Sequence, residues 1–381
     1  MNASSEQRTD CTPEHAQLVL TSDNISSYTY SSGDTTVICV VMPIILAIGV
    51  LGNGTFLFVV ARVNWMRQVS TNIYLACLAL VDITFIAMAV GGKLSRFLAS
   101  PIVTDESLLG VPGCVLLYFV SDLCFYVSLF LITLVSLGRY SAVCQPFAFR
   151  SSSEGRKGVM SRIAWCWGIS AAAACILIPD RLVWEETCIT LSPPDEFHHL
   201  PQVIGSCTSV VEWYFNFSNF VQVAPFFTTM FVNFTLYALI IRKLRQQAEM
   251  RQGLSNETAL EQAQVRDNIT RMLIVNGTSY FVFLMPFEAL ALGVTIKSLS
   301  GTPSLLTKDQ FSLALNICRC LLYTNSAVNP FIYTLMSPAY RRAFADALCP
   351  ASTSQGASVQ DLIGMSNINT KARRDSERRQ H

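Results

Sequence analysis

Seven stretches of this chain are almost purely apolar, and the charged residues collect between them. Residues 37–61, 163–179 and 213–241 carry no charge at all. Residues 72–92 carry only Asp82, 111–137 only Asp122, 272–296 only Glu288 and 311–333 only Arg319. A bilayer core about 30 Å thick takes roughly 20 apolar helical residues to cross. Lipid offers no partner to free backbone groups, so each run is expected to be a helix. A membrane β-barrel would alternate polar and apolar residues over segments of about ten, and these runs do not alternate. The predicted fold is an all-α membrane protein, a seven-transmembrane helix bundle. Its spans are placed at 37–61, 72–95, 111–144, 160–179, 212–245, 266–297 and 309–335. A short amphipathic eighth helix is placed at 338–348, between an N-terminal tail (1–36) and a polar C-terminal tail (350–381).

Composition agrees. Of 381 residues, 51% are hydrophobic and 14% charged, against about 25% charged in a soluble domain. The net charge of +1 leaves no global field for nucleic acid. Orientation follows from basic residues beside the spans. Arg62 and Arg67 follow span one, Arg150, Arg156, Lys157 and Arg162 follow span three, Arg242, Lys243, Arg245 and Arg251 follow span five, and Arg341 and Arg342 follow span seven. The amino end is therefore expected outside the cell and the carboxyl end in the cytoplasm, with the plasma membrane as location. The first 36 residues are acidic, show no cleavable signal peptide and hold glycosylation sequons at Asn2 and Asn24. Of thirteen cysteines, Cys11, Cys114, Cys188 and Cys207 lie on the expected outer face, where disulfides persist.

Isolated ionisable residues in apolar runs point to function. Asp122, Glu288 and Arg319, with Lys93 and Arg96 at the top of span two, fall at similar depth. Two readings stay open: recognition of a polar or charged ligand, with Phe287 and Tyr323 beside the charges, or an internal pair of Arg319 with Asp122 or Glu288. His198 and His199 invite a zinc site, but no cysteine or acid stands at ligand spacing.

Local motifs give a family resemblance. In order along the chain come Gly52-Asn53, Leu78-Ala79-Leu80-Val81-Asp82, Gly138-Arg139-Tyr140 leading to Cys144-Gln145-Pro146, Trp167 with Ser170, and Asn325-Ser326-Ala327-Val328-Asn329-Pro330-Phe331-Ile332-Tyr333, then Tyr340-Arg341-Arg342-Ala343-Phe344. Together they resemble the rhodopsin-like (class A) G-protein-coupled receptors over nearly the whole chain. Within that family the chain looks most like neuropeptide receptors of the FMRFamide-receptor-like and thyrotropin-releasing-hormone-receptor-like groups.

The resemblance implies a receptor, not an enzyme, for an extracellular and most naturally peptide ligand, acting on heterotrimeric G proteins. A small amine or lipid ligand, or a non-signalling decoy, is the alternative. It implies a sodium site at Asp82, Ser128, Asn325, Ser326 and Asn329, and no other cofactor or metal. It implies coupling and switch roles for Arg139, Tyr140, Phe147, Asn233, Tyr333 and Pro286, with Pro225 fixing the register of span five; a second register would put Tyr237 in the role of Asn233. It implies a Cys114–Cys188 disulfide, leaving Cys207 free to pair with Cys11. Cys349 is a palmitoylation candidate, and the tail residues after it are candidates for receptor kinases and arrestin. Membrane lipids are partners throughout.

Two departures concern switching. Gly138 stands where the family has an acid beside Arg139, and Arg266 stands where span six usually has one. Leu284 replaces the aromatic two residues before Pro286, and Tyr280 stands in one turn below. A weakly held resting state with raised basal signalling is expected. Tyr323 holds the position where a light sensor needs a lysine, and Ser121 the one where an amine receptor needs an acid. No internal repeat suggests a transporter, and no nucleophile–base constellation suggests catalysis.

Overall fold

The computed structural model describes residues 16–22, 24–146, 156–192, 200–251, 257–301 and 306–348. The apolar runs fold as long helices: α1 (Ser32–Arg62), α2 (Ser70–Ala99), α3 (Gly110–Cys144), α4 (Arg156–Leu177), α5 (Glu212–Arg251), α6 (Glu257–Ser300) and α7 (Lys308–Met336), followed by the short α8 (Pro338–Leu348). Their starts have local causes. Ser31 caps α1, its hydroxyl accepting from the Asp34 amide while the Asp34 carboxylate accepts from the Ser31 amide. Thr307 and Gln310 do the same for α7. Such reciprocal caps satisfy amides that a helix end leaves unpaired. Pro225, Pro286 and Pro330 lie inside α5, α6 and α7, each removing one backbone bond where a bend is tolerated.

The first six helices are long and apolar enough to cross a membrane. α7 has comparable length, 29 residues, but spends its inner face on polar groups. Asn316, Asn325, Ser326 and Asn329 are buried, whereas Leu313, Ile317, Phe331 and Leu335 are exposed. The same inversion runs round the bundle. Leu51, Leu80, Leu116, Trp165, Phe220, Phe231 and Val282 point outward, while Asn53, Asp82, Asn233 and Glu288 are buried. A polar interior inside an apolar coat is stable only where the surroundings are lipid.

α3 runs through the middle of the bundle, packed on α2, α4, α5 and α6, and α7 closes it against α1 and α6. At one end lies a three-stranded sheet. β2 (Val183–Ser192) and β3 (Val203–Thr208) form an antiparallel hairpin, and β1 (Ala16–Thr21), from the segment expected only as a tail, adds in parallel along β2. Leu20, Ile102, Ile189, Leu200 and Ile204 make a small core beneath it. At the other end α8 turns back under α1 and α7, stacking Tyr340 on Phe56 and tilting it against Tyr333.

The disulfide differs from expectation. Cys114 bonds Cys207, not Cys188. The hairpin register is the reason. Cys207 lies on β3, and its amide reaches the same Glu106 carboxylate that sits beside the Cys114 sulfur. Cys188 lies one strand away on β2, opposite Gln17 of β1, and is itself disulfide-bonded. Cys207 is therefore also not available to Cys11, a residue outside those described.

Candidate functional site

A cavity of about 490 Å³ lies within the bundle beneath the sheet and reaches Asp82. That size lies within the range of small-molecule and peptide side-chain pockets. All six residues expected at a ligand site line it: Lys93, Asp122, Phe287, Glu288, Arg319 and Tyr323. They come from α2, α3, α6 and α7, so the cavity exists only in the assembled bundle.

The internal pair left open by the sequence is not formed. Among the described residues, Arg319 makes no ion pair with Asp122 or Glu288. The ion pairs near this end join Arg96 to Glu106 at 2.7 Å and Arg181 to Asp180 at 3.6 Å. Glu106 is a hub. Besides Arg96 it accepts from the Tyr118 hydroxyl at 2.7 Å and the Cys207 amide at 3.1 Å. Cys114 and Cys207 lie close enough to Glu106 to suggest a metal cluster, but their sulfurs are joined to each other and offer no thiolate.

Sequence reasoning missed the part played by the N-terminal segment. The Tyr28 carbonyl accepts from the Val103 amide and the Tyr30 amide donates to the Pro101 carbonyl. The Tyr30 ring then lies under the Lys93 ammonium, 5.0 Å away, and edge-on to Phe97. Asp34 reaches down to accept from the Asn316 amide on α7. The only signal in the sequence was the acid at 34 so close to the first apolar run. Asn24 holds a turn, accepting from the Thr21 amide and donating to the Val19 carbonyl. Asn2 lies outside the described residues.

The Asp82 cluster lies in the same cavity. Asp82 is 3% exposed and accepts from the Asn329 amide at 2.7 Å. Ser128, Asn325 and Ser326 line the same floor, and the Asn325 carbonyl oxygen is buried without a partner. Asn53 donates to the Ser326 and Gly49 carbonyls and ties α1 to α7. Leu284 and Tyr280 form the α6 side of the floor, where Phe281 packs on Phe226 at 5.7 Å.

At the α8 end, Arg139 meets no acid among the described residues. Its guanidinium donates to the Thr71 hydroxyl on α2. The next residue, Asn72, accepts from the Tyr340 hydroxyl of α8 and donates to the Met66 carbonyl at 3.1 Å. Two adjacent α2 residues thus hold α3 and α8 together. Asp267, beside Arg266 on α6, is taken by Arg251 of α5 at 2.6 Å. A Cβ built at Gly138 would meet nothing within 4 Å.

Both candidate residues of α5 reach α3. Asn233 donates to the Thr133 hydroxyl at 2.9 Å, and the Tyr237 and Ser136 hydroxyls are 2.9 Å apart. Tyr237 also presses on α6 at Gly277, where any Cβ would overlap its hydroxyl. Tyr140 packs with Val143 and Ile240 at the same end, and Tyr333 is buried against Phe56. Phe147, Cys349 and the C-terminal tail lie outside the described residues.

Comparison with known proteins completes the description. Residues 52–333 match the family described as 7 transmembrane receptor (rhodopsin family). Somatostatin receptor type 2 of Sus scrofa is 24% identical over 335 residues, covering 86% of this chain and 81% of that protein. Galanin receptor 2a of Danio rerio is 24% identical over 312 residues, 82% of this chain and 77% of that one. Somatostatin receptor type 4 of Rattus norvegicus is 25% identical over 326 residues, 85% and 75%.

Proposed function

Because the chain belongs to the rhodopsin family of seven-transmembrane receptors, we propose that it binds an extracellular peptide in the cavity beneath the sheet and activates a heterotrimeric G protein at the α8 end. The observation that carries this reading is the cavity itself. It is lined by charged groups from α1, α2, α3, α6 and α7, and continuous with the Asp82 cluster. The relatives' names support the ligand class, since somatostatin and galanin are peptides. The basic residues beside the α8 end support placing it in the cytoplasm.

The mechanism follows from which contacts each end makes. A ligand can shift the bundle only through its different affinity for two arrangements. One that draws α6 and α7 toward α3 would bear on Leu284, Tyr280 and the Asp82 floor. Movement of α6 at its far end would slide Gly277 away from Tyr237 and open the space around Arg139 for the G protein. At the floor, the oxygens of Asp82, Ser128, Asn325 and Ser326 fit a hard monovalent cation, and the partnerless Asn325 oxygen is the observation that favours one. Bound sodium would supply a fixed positive charge there that favours the resting arrangement; Asn329 presents its amide nitrogen to Asp82 and so orients the carboxylate. Receptor kinases and arrestin would act on the C-terminal tail, lipid on Cys349, and glycosylation on Asn2 and Asn24.

The test is a screen of short peptides, biogenic amines and lysolipids on cells expressing the receptor, read by calcium and cyclic AMP. Peptides alone should evoke a response, and Arg139→Ala should abolish it while binding persists. A response only to amines or lipids overturns the ligand class. Binding that never produces a G-protein response overturns the signalling role.

A further inference from the structure

The charged groups of the cavity are sorted rather than paired. On one wall Glu288 of α6 is 1% exposed, lines the cavity and has a carboxylate oxygen with no hydrogen-bond partner. The charged group acting on it is another acid, Asp122 of α3. The charges acting on Asp122 are Arg181 and Asp180, which are already bonded to each other. The Arg181 guanidinium also lies over the Tyr118 ring at 4.7 Å. Two carboxylates, one buried and one half-buried, thus share a wall, and the one cation acting on them, Arg181, is already paired with Asp180.

The opposite wall is the reverse. Lys93 of α2 faces Arg319 of α7 and Arg96 of α2 before any acid. Arg96 is neutralised by Glu106. The nearest remaining acid, Asp34, has one oxygen engaged by Asn316 and the other by Ser31. Lys93 and Arg319 therefore form no ion pair among the described residues. α2 packs on α3 and α7, and α6 on α3 and α7, so packing alone would allow unlike charges to meet. Yet the charge that acts most on Lys93 is Arg319 and the one that acts on Glu288 is Asp122, so each group lies nearer its like than its opposite.

Ionisable groups drawn into an apolar bundle beside their like are poorly accommodated without a partner of opposite charge. The four could have cancelled internally had Arg319 reached Asp122 or Glu288. A ligand can supply the missing partners, and wrong partners are rejected by the same charges. We propose that the cavity takes a ligand of opposite charge at its two ends, with a cationic group between Asp122 and Glu288 and a free carboxylate between Lys93 and Arg319. The cation is a terminal amine or a Lys or Arg side chain. The anion is a C-terminal carboxylate or an acidic side chain, so an amidated peptide without an acid is a poor fit. This rests on the peptide-receptor reading above and narrows it.

The experiment uses full-length receptor in lipid nanodiscs, with ligand-induced change in Tm as readout, so that it does not depend on signalling. Four pools of hexapeptides with randomised uncharged cores are compared: Lys/Arg-bearing free acids, the same as amides, N-acetylated uncharged free acids, and N-acetylated uncharged amides. The cationic free acids should raise Tm most, at concentrations at least tenfold below the other pools. Glu288→Gln or Asp122→Asn should erase the advantage of the cation and leave that of the free acid. Lys93→Met or Arg319→Gln should do the opposite. The wild-type pool comparison stands even if a variant fails to fold. N-acetylated Lys/Arg peptides and Asp/Glu-bearing amides then tell side-chain charges from terminal ones. Equal stabilisation by uncharged amides and cationic free acids overturns the polarity while leaving a peptide receptor. Stabilisation by none of the pools overturns both.

Discussion

The two ends of the bundle treat polar groups in opposite ways. Beneath the sheet, Lys93, Asp122, Glu288 and Arg319 are drawn into the bundle and left without counter-charges. At the α8 end, buried polar groups find one another: Arg139 and Thr71, Tyr340 and Asn72, Tyr237 and Ser136, Asn233 and Thr133, Arg251 and Asp267. An end with unmet charges has something to gain from a visitor. An end whose side chains are bonded to one another must lose some of those bonds before a visitor can enter, even though single oxygens of Asn233 and Asn276 there stay unpartnered. Ligand reception and resting restraint are thus physically different jobs, and the difference can be attacked from either side.

The sheet end carries a covalent tie. The Cys114–Cys207 bond closes a separation of 93 residues, and losing such a bond costs about 2–5 kcal/mol. Cys114→Ser and Cys207→Ser should each abolish surface expression or ligand binding, and the double variant should be no worse than either. Cys188→Ser should leave that bond intact by mass mapping. If Cys188→Ser instead frees Cys114, the register of the hairpin is wrong and the sheet end must be redrawn.

At the other end the restraint is a neutral acceptor. A hydrogen bond to a charged group is worth about 1.5–3 kcal/mol. Thr71→Val keeps the shape and removes the oxygen that Arg139 uses, so ligand-free G-protein activation should rise by roughly tenfold, since about 1.4 kcal/mol is a factor of ten. Unchanged basal activity would show that Thr71 does not restrain Arg139.

Gly277→Ala probes the close approach of α5 and α6. Overpacking a buried contact costs about 1–3 kcal/mol. The variant should lose thermal stability, and adding Tyr237→Phe should restore part of it, because the hydroxyl is the atom nearest the new methyl. No recovery in the double variant would place the clash elsewhere.

The seven apolar runs were legible because lipid leaves the backbone no choice but to satisfy itself. Asp122, Glu288 and Arg319 were legible for a related reason: a lone charge in an apolar run has nowhere to point but inward. The partners were not legible. Whether Arg319 meets Asp122 depends on which helices are neighbours and how they are rotated, and no local spacing encodes that. The choice of Cys207 over Cys188 rests on hairpin register, since both lie on the same long loop. The strand Ala16–Thr21 was hidden because it pairs with residues some 170 positions later. The seventh helix was visible as a block of residues, yet its inner face of Asn and Ser blurs its apolar signal.

The smallest expected effect tests the sequence departure that set this end apart. The Cβ of an acid at position 138 would enter open space, next in sequence to Arg139, so its first carbon displaces no packed neighbour. A partly exposed ion pair contributes about 0–1 kcal/mol. Gly138→Asp should therefore fold normally and lower basal signalling by at most a few-fold, less than Thr71→Val raises it. The double variant separates two descriptions of the latch. If the introduced carboxylate and the Thr71 hydroxyl restrain Arg139 independently, their effects add and the double variant falls between the singles. If the carboxylate takes Arg139 away from Thr71, the double variant matches Gly138→Asp alone, and the Thr71 hydroxyl is then the substitute for an acid this chain lacks.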